Sequence, residues 1–158
     1  IITHEMSVVK DLCHKVAVME NGHILEQGPI VDIFTEPNEQ LTKEFIDTAT
    51  HFDQEIGMVL AHPETQKLNR EGILARLRYV GVGTTQPLIS TLVREYDVTV
   101  NIIYGHIEIL QNTPVGNLLV AFTGESENIK KAIEFLKQSD VKVDSVSDLL
   151  EEFVTKED

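Results

Sequence analysis

Across residues 71–147 the spacing of apolar residues switches repeatedly between two and about 3.6, and the order of those switches leaves few folds open. Ile73, Ala75, Leu77 and Tyr79 point one way and Arg76 and Arg78 the other, as in a half-buried strand. Gly81 and Gly83 end it. Thr84-Thr85-Gln86-Pro87 then reads as a helix start, with a hydroxyl cap and a proline in the first turn. Leu88, Ile89, Leu92, Val93 and Tyr96 share one helical face. Val98, Val100 and Ile102 alternate as a second strand. Beyond them the apolar parity moves to Ile103, Ile107 and Ile109, which requires a bulge, expected at Tyr104-Gly105. Asn112-Thr113-Pro114 turns the chain into a buried strand from Leu118 to Phe122. Ser126 caps a second helix with Ile129, Ala132, Ile133 and Leu136 inward, and Val141-Lys142-Val143 is the last strand.

That order is β-α-β-β-α-β, so an α+β fold with a ferredoxin-like unit is expected over 71–147. The preceding residues 1–49 read as a different α/β piece. Ile1-Ile2-Thr3-His4 resembles the end of a buried strand whose last residue is a histidine, so the chain is expected to continue a longer protein. Met6, Val9 and Leu12 mark a helix; Val16 to Met19 and Ile24 to Gly28 mark strands joined by an Asn21-Gly22 turn. Pro29 opens a short helix that stops before Pro37, and Leu41, Phe45 and Ala49 form the stripe of another. Residues 50–70 show no sustained period and read as a linker. Residues 148–158 read as a frayed acidic tail, with a helical turn around Leu149 to Phe153.

The chain has 158 residues and a formal net charge of -13. That charge opposes nucleic acid and anionic lipid, both of which demand a basic footprint. No apolar run approaches the ~20 residues of a membrane span, and no signal-peptide pattern opens the chain. The single cysteine, Cys13, excludes an internal disulfide and reads as a small hydrophobe. His51, Asp53, Glu55, His62 and Glu64 are metal-ligand types, but without fixed spacing they read as solvated loop, and no metal site is expected.

Four segments carry a specific resemblance. They are Ile1-Ile2-Thr3-His4-Glu5-Met6, Val16-Ala17-Val18-Met19-Glu20-Asn21-Gly22, Ile24-Leu25-Glu26-Gln27-Gly28-Pro29 and Ile33-Phe34-Thr35-Glu36-Pro37. Together they resemble the C-terminal end of an ABC-transporter ATPase domain. The resemblance implies that His4 is the switch histidine contacting the γ-phosphate of ATP, with ATP and Mg as cofactors of the full-length parent. Where that family often has Asp-Arg before the strand, this chain has His14-Lys15. These residues contain no G-x-x-x-x-G-K-[ST] loop, so no cofactor and no ATP hydrolysis are expected of this stretch alone.

The downstream unit is similar to the NIL domain, an ACT-like module of methionine-import ATPases. Arg78, Gly83, the helix over 85–96, Val100-Asn101-Ile102-Ile103 and Val141-Lys142-Val143 carry that resemblance. It implies a homodimer through the NIL domain, with Asn101 at the subunit interface contacting bound L-methionine. An amide both donates and accepts, which suits a zwitterion. Ile102, Ile103 and Ile107 are expected near the ligand, Ile103 and Ile107 as an apolar wall. Gly81 and Gly83 could present backbone N–H groups to a carboxylate. The resemblance further implies a membrane permease and an extracellular binding protein as partners, a peripheral place on the cytoplasmic face of the cell membrane, and feedback inhibition by methionine. A purely structural dimerisation module is the alternative. An ACT-like regulator of a biosynthetic enzyme is disfavoured by the ATPase-like residues, and RNA binding by the charge.

Overall fold

The computed structural model describes residues 1–50 and 52–145. Ile1 and Ile2 are exposed and belong to no strand, so the expected buried strand at Ile1–His4 does not form. Extended backbone needs a neighbour for its N–H and C=O groups, and none of the described strands runs beside these residues. Helix α1 (Met6–Leu12) buries Val9 and leaves Leu12 exposed at its end. Strands β1 (Lys15–Glu20) and β2 (His23–Pro29) pair antiparallel around Asn21-Gly22. Both turn residues have positive φ, 49° and 81°, the mirror-image turn that suits strand twist.

Pro29 occupies the cap of α2 (Ile30–Thr35), and α3 (Gln40–Thr50) follows. Its buried residues are Thr42 and Ile46, one position round from the expected Leu41–Phe45 stripe, which is only half-buried. Two contacts set that rotation. Ile46 joins Val9, Ile30 and Phe34 in one cluster. The Glu26 carboxylate accepts hydrogen bonds from the Asn38 and Glu39 backbone N–H groups at 3.0 and 3.2 Å, fixing where the helix starts.

Residues expected to lack regular structure are instead helical, in α4 (Phe52–Ala61) and α5 (Pro63–Glu71). The reason is length. Ile56 and Leu60, four apart, make one short inward stripe, and His62-Pro63 breaks the period before it repeats. Pro63 sits in the first turn of α5, and His62 caps it, its Nδ1 accepting the Glu64 N–H at 3.3 Å.

The rest is the expected α+β unit: β3 (Ile73–Val80), a 3₁₀ turn (Gly81–Thr85), α6 (Leu88–Tyr96), β4 (Thr99–Leu110), β5 (Thr113–Thr123), α7 (Ser126–Gln138) and β6 (Lys142–Ser145). The antiparallel sheet runs β4-β5-β3-β6, the ferredoxin-like order. Pro87 and Glu125, rather than the expected hydroxyl residues, occupy the cap positions of α6 and α7. The β4–β5 turn is Gln111-Asn112, both at positive φ, and Thr113-Pro114 already belong to β5. The bulge lies at Ile103, a residue before its expected place. The tail 148–158 and its helical turn fall outside the described residues.

Both faces of the sheet are covered. On one, α6 and α7 enclose Leu77, Leu92, Val120, Phe122 and Leu136. On the other, α4 and α5 set Ile56 and Leu60 against Leu74, Leu119 and Ala121. Further along that second face, Leu110 and Val115 from the end of the β4–β5 hairpin enter the cluster of Val9, Ile30, Phe34 and Ile46. The hairpin tip and the first 49 residues therefore share one core.

Candidate functional site

Among the described residues strand β4 is an edge strand, paired on one side only. Asn101 lies on it, exposed, directly opposite Ala121. Residues directly opposite share a face, and Ala121 packs toward α4, so Asn101 is on that side. Ile102 is opposite Val120 of the main core and so faces the α6 side, where it is 55% exposed. Ile103 occupies the bulge and packs with Tyr104 against the α4 cluster. Ile107 is opposite Gly116, beneath the Tyr79 ring, and faces the α6 side.

The structure thus divides the expected ligand residues between two faces. Asn101 and Ile103 are on one, Ile102 and Ile107 on the other. From the Asn101 row to the Ile107 row is five steps along β5, about 17 Å. Gly81, at φ 64°, and Gly83 lie past the end of β3, toward the Ile107 end. One copy does not bring Asn101 and these glycines around a single small molecule. His4 is exposed in the irregular opening stretch.

Sequence reasoning missed the contacts that organise the α4 face. Tyr104 donates its hydroxyl to the Glu55 carboxylate on α4. That bond and partial burial hold the Tyr104 phenol above its usual range. Glu55, read as solvated loop, is thereby tied to the strand that carries Asn101. Arg78 is a second case. Its guanidinium bonds Asp144 on β6 at 2.8 and 3.1 Å and the Thr35 carbonyl at the end of α2 at 3.3 Å. Lys142 reaches Glu36 at 2.7 Å, and that hydrogen bond, with the Lys142 and Arg78 charges, holds the Glu36 carboxyl below its usual range. On the far side Lys10 pairs with Glu108 at 2.6 Å, with its Nζ 5.3 Å from the Phe34 ring centre. The alternation of Arg76 and Arg78 against an apolar face was the only sequence signal for any of this.

A family model for the NIL domain matches residues 73–145, the span of the four-stranded unit. That span, rather than the whole chain, is what the NIL-domain family accounts for. Beyond that span it is similar to curated ABC-transporter proteins over nearly its whole length. A Methionine import ATP-binding protein MetN of Lacticaseibacillus paracasei is 44% identical over 92% of this chain and 42% of its own length. One from Streptococcus pyogenes serotype M4 is 45% identical over 90% of this chain and 40% of its own. The chain spans about two fifths of the length of the curated relatives it matches. A solved C-terminal domain of an ABC transporter ATP-binding protein from Enterococcus faecalis is 34% identical, with a TM-score of 0.45, covering 52% of this chain and 92% of that one. No helix among the described residues is long and apolar enough to cross a membrane.

Proposed function

We propose that the chain is part of the ATP-hydrolysing, energy-coupling subunit of an ABC importer for methionine, and that its NIL domain binds methionine and restrains transport. What supports this is the similarity to methionine import ATP-binding proteins, which runs through residues 1–49 as well as the NIL domain, at 44–45% identity. In this reading His4 is the switch histidine of the parent ATPase, ATP and Mg are held by the rest of that protein, and this chain alone hydrolyses no ATP. The parent acts beneath a membrane permease fed by an extracellular binding protein, on the cytoplasmic face of the membrane.

The regulatory step is a coupling between two sites. Methionine restrains transport only if it binds one arrangement of the paired domains better than the other. Asn101, exposed on the free edge of β4, is proposed to offer its amide to methionine where two copies meet. Calorimetric titration with L-methionine tests the reading. Saturable heat is expected, and Asn101→Ala weakens it roughly tenfold, the loss of about one hydrogen bond to a charged group. An absence of heat with any amino acid removes the sensor function; an unchanged affinity removes Asn101 from it.

A second reading, a structural dimerisation module without sensing, has its own observation. Ile102, Ile107 and Ile109 stand 55%, 59% and 71% exposed along that same edge strand, an apolar row suited to a second copy.

A further inference from the structure

A hollow of about 120 Å³ opens between the start of α6 and the end of α7, on the sheet face opposite Asn101. Its wall includes the apolar side chains of Leu77, Leu118, Leu136 and Val141, all buried. Gln86 and Ser90, both exposed, supply an amide and a hydroxyl to the lining. No charged residue among the described ones lines it. For scale, a dry hollow of roughly 150 Å³ admits a benzene ring. This one is sized for an amino-acid side chain, and too small for a nucleotide or a peptide.

Tyr79 is the informative part of its wall. The residue is 9% exposed, yet its hydroxyl has no hydrogen-bond partner among the described residues. Burial by itself raises its phenol above the usual range, with no acceptor involved. Among the described residues the buried side-chain polar atom left without a partner is Thr42 Oγ1, so the Tyr79 hydroxyl is not sealed in apolar surroundings; it borders the hollow, where it can donate or accept. Its ring is held by the backbone at Gly116, where any Cβ would lie 2.8 Å from Cζ. The missing side chain at Gly116 is what lets the ring lie this close to β5. A ligand seated in the hollow can present an acceptor to that hydroxyl.

We propose that this hollow is a second amino-acid site, complete within one copy, which takes an apolar side chain against Leu77, Leu118, Leu136 and Val141 and meets the polar end of the ligand with Tyr79, Gln86 and Ser90. Methionine is its first candidate, on the reading given under Proposed function. The thioether is flexible and apolar and adapts to an irregular wall. The site is distinct from the Asn101 edge because the sheet lies between them, and it needs no partner chain.

The test is titration of the chain, its Asn101→Ala form, and Tyr79→Phe and Ser90→Trp in both backgrounds, with L-methionine, L-norleucine, L-leucine and glycine. Saturable binding of methionine is expected to survive Asn101→Ala. Ser90→Trp, which closes the mouth from an exposed position, should then remove it, and Tyr79→Phe should weaken it several-fold without lowering the melting temperature. Glycine should not bind. Loss of all binding in Asn101→Ala, or an isotherm unaltered by Ser90→Trp, overturns the second site while leaving the sensor reading in place. If none of the four ligands binds the unaltered chain, the sensor reading and this site fall together. If norleucine or leucine binds and methionine does not, the hollow stands and the methionine reading falls.

Discussion

Asn101 and Gly116 show how much a single side chain, or its absence, decides in this domain. Asn101 stands out in the sequence through the resemblance its segment carries, and simple alternation already sets it opposite Val100 and Ile102. The parity switch announced a bulge but not its place: lying at Ile103, it brings Ile107 to the side of Ile102 and away from Asn101. Gly116 was not singled out at all. It is buried in β5 with Tyr79 lying over it, a close approach that only the three-dimensional pairing of β3 with β5 creates. Gly116→Ala is expected to destabilise the chain by about 1–3 kcal/mol, because the ring is enclosed in the main core and has nowhere to go. Thermal denaturation measures this, and a melting temperature equal to that of the unaltered chain refutes it.

At the scale of elements, the strands and helices of the four-stranded unit were readable because each carries its period over enough residues to repeat. The strand Ile73–Val80 and the helices Leu88–Tyr96 and Ser126–Gln138 follow the apolar pattern closely. Helices α4 and α5 were not readable, since their inward residues are too few to establish a period. The start of α3 was hidden for another reason: its cap comes from Glu26, on a strand well upstream. Burial opposes the charge on Glu26, yet the Asn38 backbone and side-chain amides and the Glu39 N–H outweigh it and hold the carboxyl below 4.5. A carboxyl lowered on folding stabilises the fold above its unfolded pKa, and that contribution fades as pH falls below 4.5 through the lower folded value. The melting temperature should therefore drop between about pH 5 and pH 3, and Glu26→Gln should flatten part of that drop. An identical slope in the variant would show that the clamp contributes nothing.

The whole molecule is held together across the boundary between the first 49 residues and the NIL domain. Lys10 with Glu108, Glu36 with Lys142 and the Thr35 carbonyl with Arg78 all cross it, around the core shared by Phe34, Leu110 and Val115. Such contacts join residues far apart in sequence, so no local pattern announced them; the two halves read as independent units. Lys10→Glu sets two carboxylates side by side in a partly buried position, at an expected cost of ~2 kcal/mol. Limited proteolysis should then cut within residues 1–49 sooner than in the unaltered chain, with residues 73–145 still resistant. Equal cutting rates would mean the two halves do not hold each other.

The long hairpin is also a lever. Asn101 near one end of β4 and Leu110 at the other are nine steps apart, about 30 Å, along strands bonded to each other almost throughout. Strand β5 is bonded to β3 as well, from Phe122 to Val115, so a rotation of this ribbon carries the four-stranded sheet with it. A tilt of about 6° imposed at the Asn101 end moves the tip by roughly 3 Å over that length. The tip is where Leu110 and Val115 sit in the core of the preceding half. A change too small to notice at the sheet edge thus arrives there as the width of a side chain.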